Sequence, residues 1–162
     1  AFTRSLIERI FLPQSLTTIG KYSFSRCQNL RQVVFPLNSK LKKIDEYAFL
    51  ETSIETFTIP NSLRHICQYA FSECSKLQYV NINYNSELQI IEDGAFCRSS
   101  IRCFYVPEKV KYIGYNAFAF CNQLSIIEID ENSELRYFSD MIIQHSEVLI
   151  MAPFEISRKI FH

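Results

Sequence analysis

Nine residues carry side chains with an obvious chemical repertoire: Cys27, Cys67, Cys74, Cys97, Cys103, Cys121, His65, His145 and His162. Thiols form disulfides, ligate soft or borderline metals, or act as nucleophiles beside a base. No Cys-x-x-Cys pair is present and the three histidines fall at unrelated places, so neither a metal-ligand set nor a nucleophile with its base stands out. A Gly-rich phosphate loop, a G-x-S-x-G elbow and an H-E-x-x-H helix are also missing, and no carboxylate pair singles itself out. The expectation is a non-enzyme with no catalytic residue, no cofactor and no metal.

The cysteines instead introduce a periodicity. Cys27, Cys74 and Cys121 are spaced by 47 residues. The first apolar residue of each apolar-x-x-apolar-x-apolar run falls at Ile7, Leu30, Ile54, Leu77, Ile101, Leu124 and Val148, with steps of 23, 24, 23, 24, 23 and 24. Three residues on stand Ile10, Val33, Phe57, Val80, Phe104 and Ile127; five on stand Leu12, Phe35, Ile59, Ile82, Val106 and Ile129. Pro13, Pro36, Pro60 and Pro107 follow at one shared position. The second half of each unit repeats as well. Leu16, Leu41, Leu63, Leu88, Val110 and Leu135 lead to Ile19, Ile44, Ile66, Ile91, Ile113 and Phe138, and then to Phe24, Phe49, Phe71, Phe96, Phe118 and Ile143. The alternating step implies a duplicated two-coil block of 47 residues.

A unit of this size cannot bury its apolar face alone, so neighbours must stack around one continuous core. Phe57 and Ile59 are expected to point inward, with Thr56 and Thr58 outward, which makes Ile54–Ile59 a strand in a parallel sheet along one flank. Proline ends that strand because it has no amide hydrogen. The Leu-x-x-Ile segments read as short second strands, and the Tyr-Ala-Phe segments as single helical or 3-10 turns whose phenylalanines form an internal ladder. By the usual strand spacing, Cys27, Cys74 and Cys121 lie roughly 10 Å apart, beyond disulfide reach, and read as small buried residues. A Cys97–Cys121 bridge is the disfavoured alternative, because the two occupy different columns.

The Ile54–Leu77 unit, and Ile101-Arg102-Cys103-Phe104-Tyr105-Val106-Pro107 through Ile113-Gly114 to Ala117-Phe118-Ala119-Phe120-Cys121, resemble the BspA-type (Treponema-type) leucine-rich repeat. The resemblance covers residues 1–138 in about six copies and implies a right-handed leucine-rich-repeat solenoid. Residues 139–162 read as a divergent last repeat or a cap: Ile142-Ile143 replaces Ala-Phe, and Pro153 falls one place early. Ala1-Phe2 matches Ala48-Phe49, so the chain reads as a fragment of a longer array, begun in mid-unit.

With the conspicuous columns assigned to folding, function is left to the outward positions of the strands. These are Arg9, Gln32, Thr56, Tyr79, Cys103 and Ile126 in one column, and Phe11, Val34, Thr58, Asn81, Tyr105 and Glu128 in the other. Tyrosine among apolar and polar neighbours suits a contact surface. The same residue types also suit strands for their own sake, and the sequence leaves both readings open. The 17 basic residues balance 17 acidic ones, which gives no reason to expect nucleic acid, although residues 1–81 hold ten basic against six acidic and residues 82–162 seven against eleven. No apolar stretch is long enough for membrane insertion, and no Asn-x-Ser/Thr sequon occurs.

The resemblance implies a protein ligand on a host cell, in the matrix or on another microbe, and a cell-surface or secreted location. Self-association of the repeats is a further possibility. An intracellular scaffold in the cytoplasm is the alternative, consistent with six unpaired thiols.

Overall fold

The computed structural model describes residues 2–139 and 147–160. In chain order its strands are β1 (Arg9–Phe11), β2 (Thr18–Ile19), β3 (Gln32–Val34), β4 (Lys43–Ile44), β5 (Thr56–Thr58), β6 (His65–Ile66), β7 (Tyr79–Asn81), β8 (Ile90–Ile91), β9 (Cys103–Val106), β10 (Tyr112–Ile113), β11 (Ile126–Ile129), β12 (Tyr137–Phe138) and β13 (Leu149–Met151). A helix, α1 (Phe154–Ile160), follows them. Each of the six coils from β1 to β12 gives one strand to each of two parallel sheets, with runs of turns on the remaining side, so the solenoid has three sides around one core.

The second sheet takes the even-numbered strands in the unbroken order β12-β10-β8-β6-β4-β2. Its inward column, Ile19, Ile44, Ile66, Ile91, Ile113 and Phe138, is at most 5% exposed throughout. The first sheet takes the odd-numbered strands but divides into the ladders β1-β3, β5-β7 and β9-β11-β13. Its inward residues Val33, Phe57, Phe104 and Ile127 are buried, whereas Thr56 and Thr58 are exposed, as the alternation requires.

Register corrects one sequence assignment. Ile126 pairs with Leu149 and Ile127 with Ile150, so the last step is 23 residues and Glu147, rather than Val148, holds the start position. Pro153 then stands three residues after the inward Ile150, as Pro60 does after Phe57, and is not early. The run Val148-Leu149-Ile150-Met151 is apolar at every position, which hid its alternation. Ile143, placed in the Phe column by sequence, lies outside the described residues, as does Ala1. Beyond β13, α1 sets Ile156 against the core.

The third side carries the expected aromatic ladder. Phe2, Phe24, Phe49, Phe71, Phe96 and Phe118 stack with ring centroids 5.1–5.5 Å apart and planes within 12° of parallel. Ala48, Ala70, Ala95 and Ala117, each fully buried, leave room for this approach. The turns have i→i+3 hydrogen bonds, such as Ser25 N–H to Tyr22 C=O at 3.2 Å. They do not continue as a helix, because residues in the left-handed region bracket each phenylalanine: Tyr22 and Arg26, Tyr47 and Glu51, Tyr69 and Glu73, Gly94 and Arg98. This backbone turns alternate amides toward the next coil. Phe24 N–H bonds Ala48 C=O, Phe49 bonds Ala70, Phe71 bonds Ala95 and Phe96 bonds Ala117, each at 2.8 Å. The cost of holding bulky residues at positive φ is of order 1 kcal/mol each, and it is met by satisfying amides that would otherwise be buried without partners.

Cys27, Cys74 and Cys121 are fully buried in this wall, and all six cysteines are free. The thiols of Cys74 and Cys121 donate to the Phe49 and Phe96 carbonyls at 3.1 Å, fixing them as small core donors.

Candidate partner-binding face

The outward columns of the first sheet lie where the sequence places them. Register pairs Arg9 with Gln32 and Phe11 with Val34, Thr56 with Tyr79 and Thr58 with Asn81, and Cys103 with Ile126 and Tyr105 with Glu128. The last strand extends both columns with Leu149 and Met151, which the shifted register had concealed. Phe11 is 67% exposed, Leu149 59%, Met151 50% and Tyr79 43%, so large apolar surface meets water at both ends and the middle of the face. Val34, Tyr105 and Ile126 are half-buried, while Arg9, Gln32, Thr56, Thr58, Asn81, Cys103 and Glu128 are exposed.

Several of these side chains are held in place. The Arg9 guanidinium lies over the Phe11 ring at 4.7 Å, and Arg102 approaches Tyr79 at 5.9 Å. Asn81 Nδ2 donates to Thr58 Oγ1 at 3.3 Å. The Tyr105 hydroxyl donates to Asp130. Burial and this carboxylate acceptor raise the Tyr105 phenol well above its ordinary value. Tyr105 is therefore a committed donor that forms the floor of the face beside Glu128, Asp130, Glu131 and Met151. The face is cationic at Arg9 and acidic at this other end, so the charge gradient of the sequence appears along the sheet.

The 47-residue doublet also shapes one edge. Five residues lie between Phe35 and Leu41 and between Ile82 and Leu88, against three between Ile59 and Leu63, so alternate corners are longer. Their tips expose Leu37 completely and Tyr84 by 72%. Between these ridges runs a groove of about 580 Å³ lined by Val34, Pro36, Leu37, Thr58, Pro60 and Asn81. Sequence reasoning recorded the alternation without translating it into ridges; the unequal corner lengths were the available signal.

On the second sheet, coil stacking brings together side chains that linear spacing separates. His65 Nε2 lies 2.7 Å from Glu92 Oε1, and Cys67 belongs to the same cluster, with the ligand atoms of all three within 4.8 Å of one another. Spacing along the chain sets His65 only beside His145 and His162, which lie outside the described residues. The partners of His65 are instead a cysteine of its own coil and a carboxylate of the next.

The chain matches the family model of the BspA type leucine rich repeat region, in six copies, over residues 1–125 and 42–159. No curated protein matches it. Among solved structures it is similar to a leucine rich cell surface protein from Faecalibacterium prausnitzii A2-165, with 28% identity and a TM-score of 0.58 over 80% of this chain and 40% of that one. It is also similar to the pneumococcal vaccine antigen PcpA, with 18% identity and a TM-score of 0.47 over 91% of this chain and 57% of that one. The chain thus spans about half the length of the structures it resembles, or less.

Proposed function

The chain belongs to the BspA-type leucine-rich repeat family, and from that premise we propose that it is a non-catalytic protein-recognition module at the cell surface, adhesin-like, with the outward face of the first sheet as its contact surface. The carrying observation is the exposure of Phe11, Tyr79, Leu149 and Met151 on the outward side of the three ladders that make up the first sheet. Aromatic and methionine side chains set among polar neighbours are the composition of interface cores. A backbone already fixed by stacking lowers the ordering cost of binding. The acidic end around Glu128 and Asp130 and the cationic end at Arg9 would orient a partner of opposite polarity.

The surface location rests on the Faecalibacterium protein, which is described as a cell surface protein. Attachment to host cells, matrix proteins or other microbes is the adhesin-like form of this reading. Among the described residues no helix is long and apolar enough to cross a membrane. One observation favours a second reading, an intracellular scaffold with the same face: all six cysteines are unpaired, as a reducing compartment maintains them.

The test coats beads with the chain and measures adhesion to epithelial cells, immobilised matrix proteins and bacterial cells. Tyr79→Ala combined with Tyr105→Ala is expected to remove adhesion by at least tenfold while the circular dichroism spectrum is unchanged. Undiminished adhesion of a folded double variant removes the sheet face from consideration. Failure of the parent chain to adhere to any of these surfaces favours the scaffold.

A further inference from the structure

The residue that follows each strand of the second sheet forms a column of its own: Gly20, Asp45, Cys67, Glu92, Gly114 and Ser139. Glycine suits this place, where the chain leaves the sheet against the preceding coil. A Cβ built on Gly114 stands 2.6 Å from the Asp93 backbone nitrogen. Three successive coils nevertheless replace it with side chains that ligate metals. Backbone bonds from Cys67 to Ile44 at 3.0 Å and from Glu92 to Ile66 at 2.9 Å continue the ladder through this column, so Asp45, Cys67 and Glu92 are neighbours across the sheet. His65, two residues before Cys67, projects from the same face of β6.

We propose that His65, Cys67 and Glu92 form a binding site for a divalent, zinc-type cation, with the imidazole nitrogen, the thiolate sulfur and one carboxylate oxygen as its protein ligands. Mixed nitrogen, sulfur and oxygen donors are the set preferred by zinc. Tetrahedral zinc holds such atoms roughly 3.4–3.6 Å apart, given its usual bond lengths. The three ligand atoms already lie within 4.8 Å of one another, so side-chain shifts of about an ångström, which part the 2.7 Å His65–Glu92 pair and bring the Cys67 sulfur in, form the site.

Glu92 is prepared for this role. Its Oε2 accepts the Gln68 N–H at 2.9 Å, which orients the carboxylate and leaves Oε1 facing His65. Cys67 is 3% exposed, whereas the His65 and Glu92 side chains are 30% and 29% exposed, so the fourth position opens to water. Burial, and then the Glu92 carboxylate, push the Cys67 thiol up to about 12. A bound dication reverses that balance by holding the thiolate and displacing its proton. Lys43 competes for the same region. Its ammonium lies 3.4 Å from Asp45 Oδ1 and is held most strongly by the charge of the Cys67 sulfur, so the cation must displace it.

The experiment uses the whole chain under reducing conditions with Cys97→Ser and Cys103→Ser, which removes the two more accessible thiols outside the site. Titration with Co(II) is expected to give one equivalent bound and a thiolate-to-cobalt charge-transfer band in the near ultraviolet, both reversed by Zn(II). Zn(II) should also raise Tm. Cys67→Ser keeps the side-chain volume and should abolish the band, and Cys67→Gly, the residue two other coils use here, does the same in a second folded background. His65→Gln and Glu92→Gln should each weaken binding at least tenfold. Absence of the band in the parent chain, or its persistence in either folded Cys67 variant, overturns the proposal. Neither result bears on adhesion through the opposite sheet.

Discussion

The two sheets are built by the same coils, yet the one with the shorter strands is the continuous one. Two-residue strands run unbroken from β2 to β12, while strands of three or four residues fall into three separate ladders. The interruptions, between β3 and β5 and between β7 and β9, coincide with the joints where the chain step is 24 residues. Every joint with a step of 23 is paired, including the last one once its register is read from the structure. Strand length therefore does not decide continuity. The second sheet stays continuous although its steps alternate between 25 and 22 residues from Ile19 to Phe138, with every inward residue of the column buried, whereas the first sheet opens at each of its 24-residue joints.

The sharpest way to break this contrast is to remove a member of the uniform column. Ile66→Ala deletes a fully buried side chain between Ile44 and Ile91 and should cost about 3 kcal/mol, read from the shift of the urea midpoint. Smaller effects are expected where the chain leaves the second sheet. Gly114→Ala forces a Cβ to within 2.2 Å of Asp93 Oδ1 and also against backbone, so a loss of about 1–3 kcal/mol is expected, whereas Gly20→Ala meets only Ser23 Oγ at 3.3 Å and should lose clearly less. Equal destabilisation by the two glycine variants would refute the idea that coils differ in closeness at this corner.

The interruptions themselves are visible to hydrogen exchange. Amides of Thr56 and Thr58, on the side of β5 facing β3, should exchange about tenfold faster than those of Tyr79 and Asn81, which pair with β5. Equal protection would mean that the first sheet is continuous in solution. The smallest effect belongs to the outward face: Tyr79→Ser, at an exposed site, should alter stability by no more than about 0.5 kcal/mol. A larger loss would assign Tyr79 to folding rather than to recognition.

Most of the architecture was legible because burial imposes one residue type on each column. Ile19 to Ile113 and Phe24 to Phe118 declare themselves, and the outward columns follow by elimination. Legibility failed where that constraint was absent. The strand at Leu149–Met151 has no polar partner to mark its outward side, so only pairing with β11 set its register. The cluster of His65, Cys67 and Glu92 escaped because motif spacings describe ligands within one stretch of chain, whereas a solenoid brings together residues one coil apart. Aligning the coils by their isoleucines and reading the next column, Gly20 to Ser139, was the available signal.

The turn side has a consequence of another kind. In both parallel sheets, backbone bonds run forward and backward between neighbouring coils, but on the turn side each coil donates to its successor: Tyr22 to Glu46, Tyr47 to Gln68, Tyr69 to Asp93 and Gly94 to Tyr115. Peptide dipoles of about 3.5 D each therefore align along the solenoid axis, as they do in an α-helix, with their positive ends toward later coils. The ten basic residues against six in residues 1–81, and seven against eleven in residues 82–162, oppose this axial field as acidic residues do at a helix N-terminus. A stack with one-way bonding is a vector: its joints accept another coil head to tail, and a two-fold pairing across them would set donor against donor.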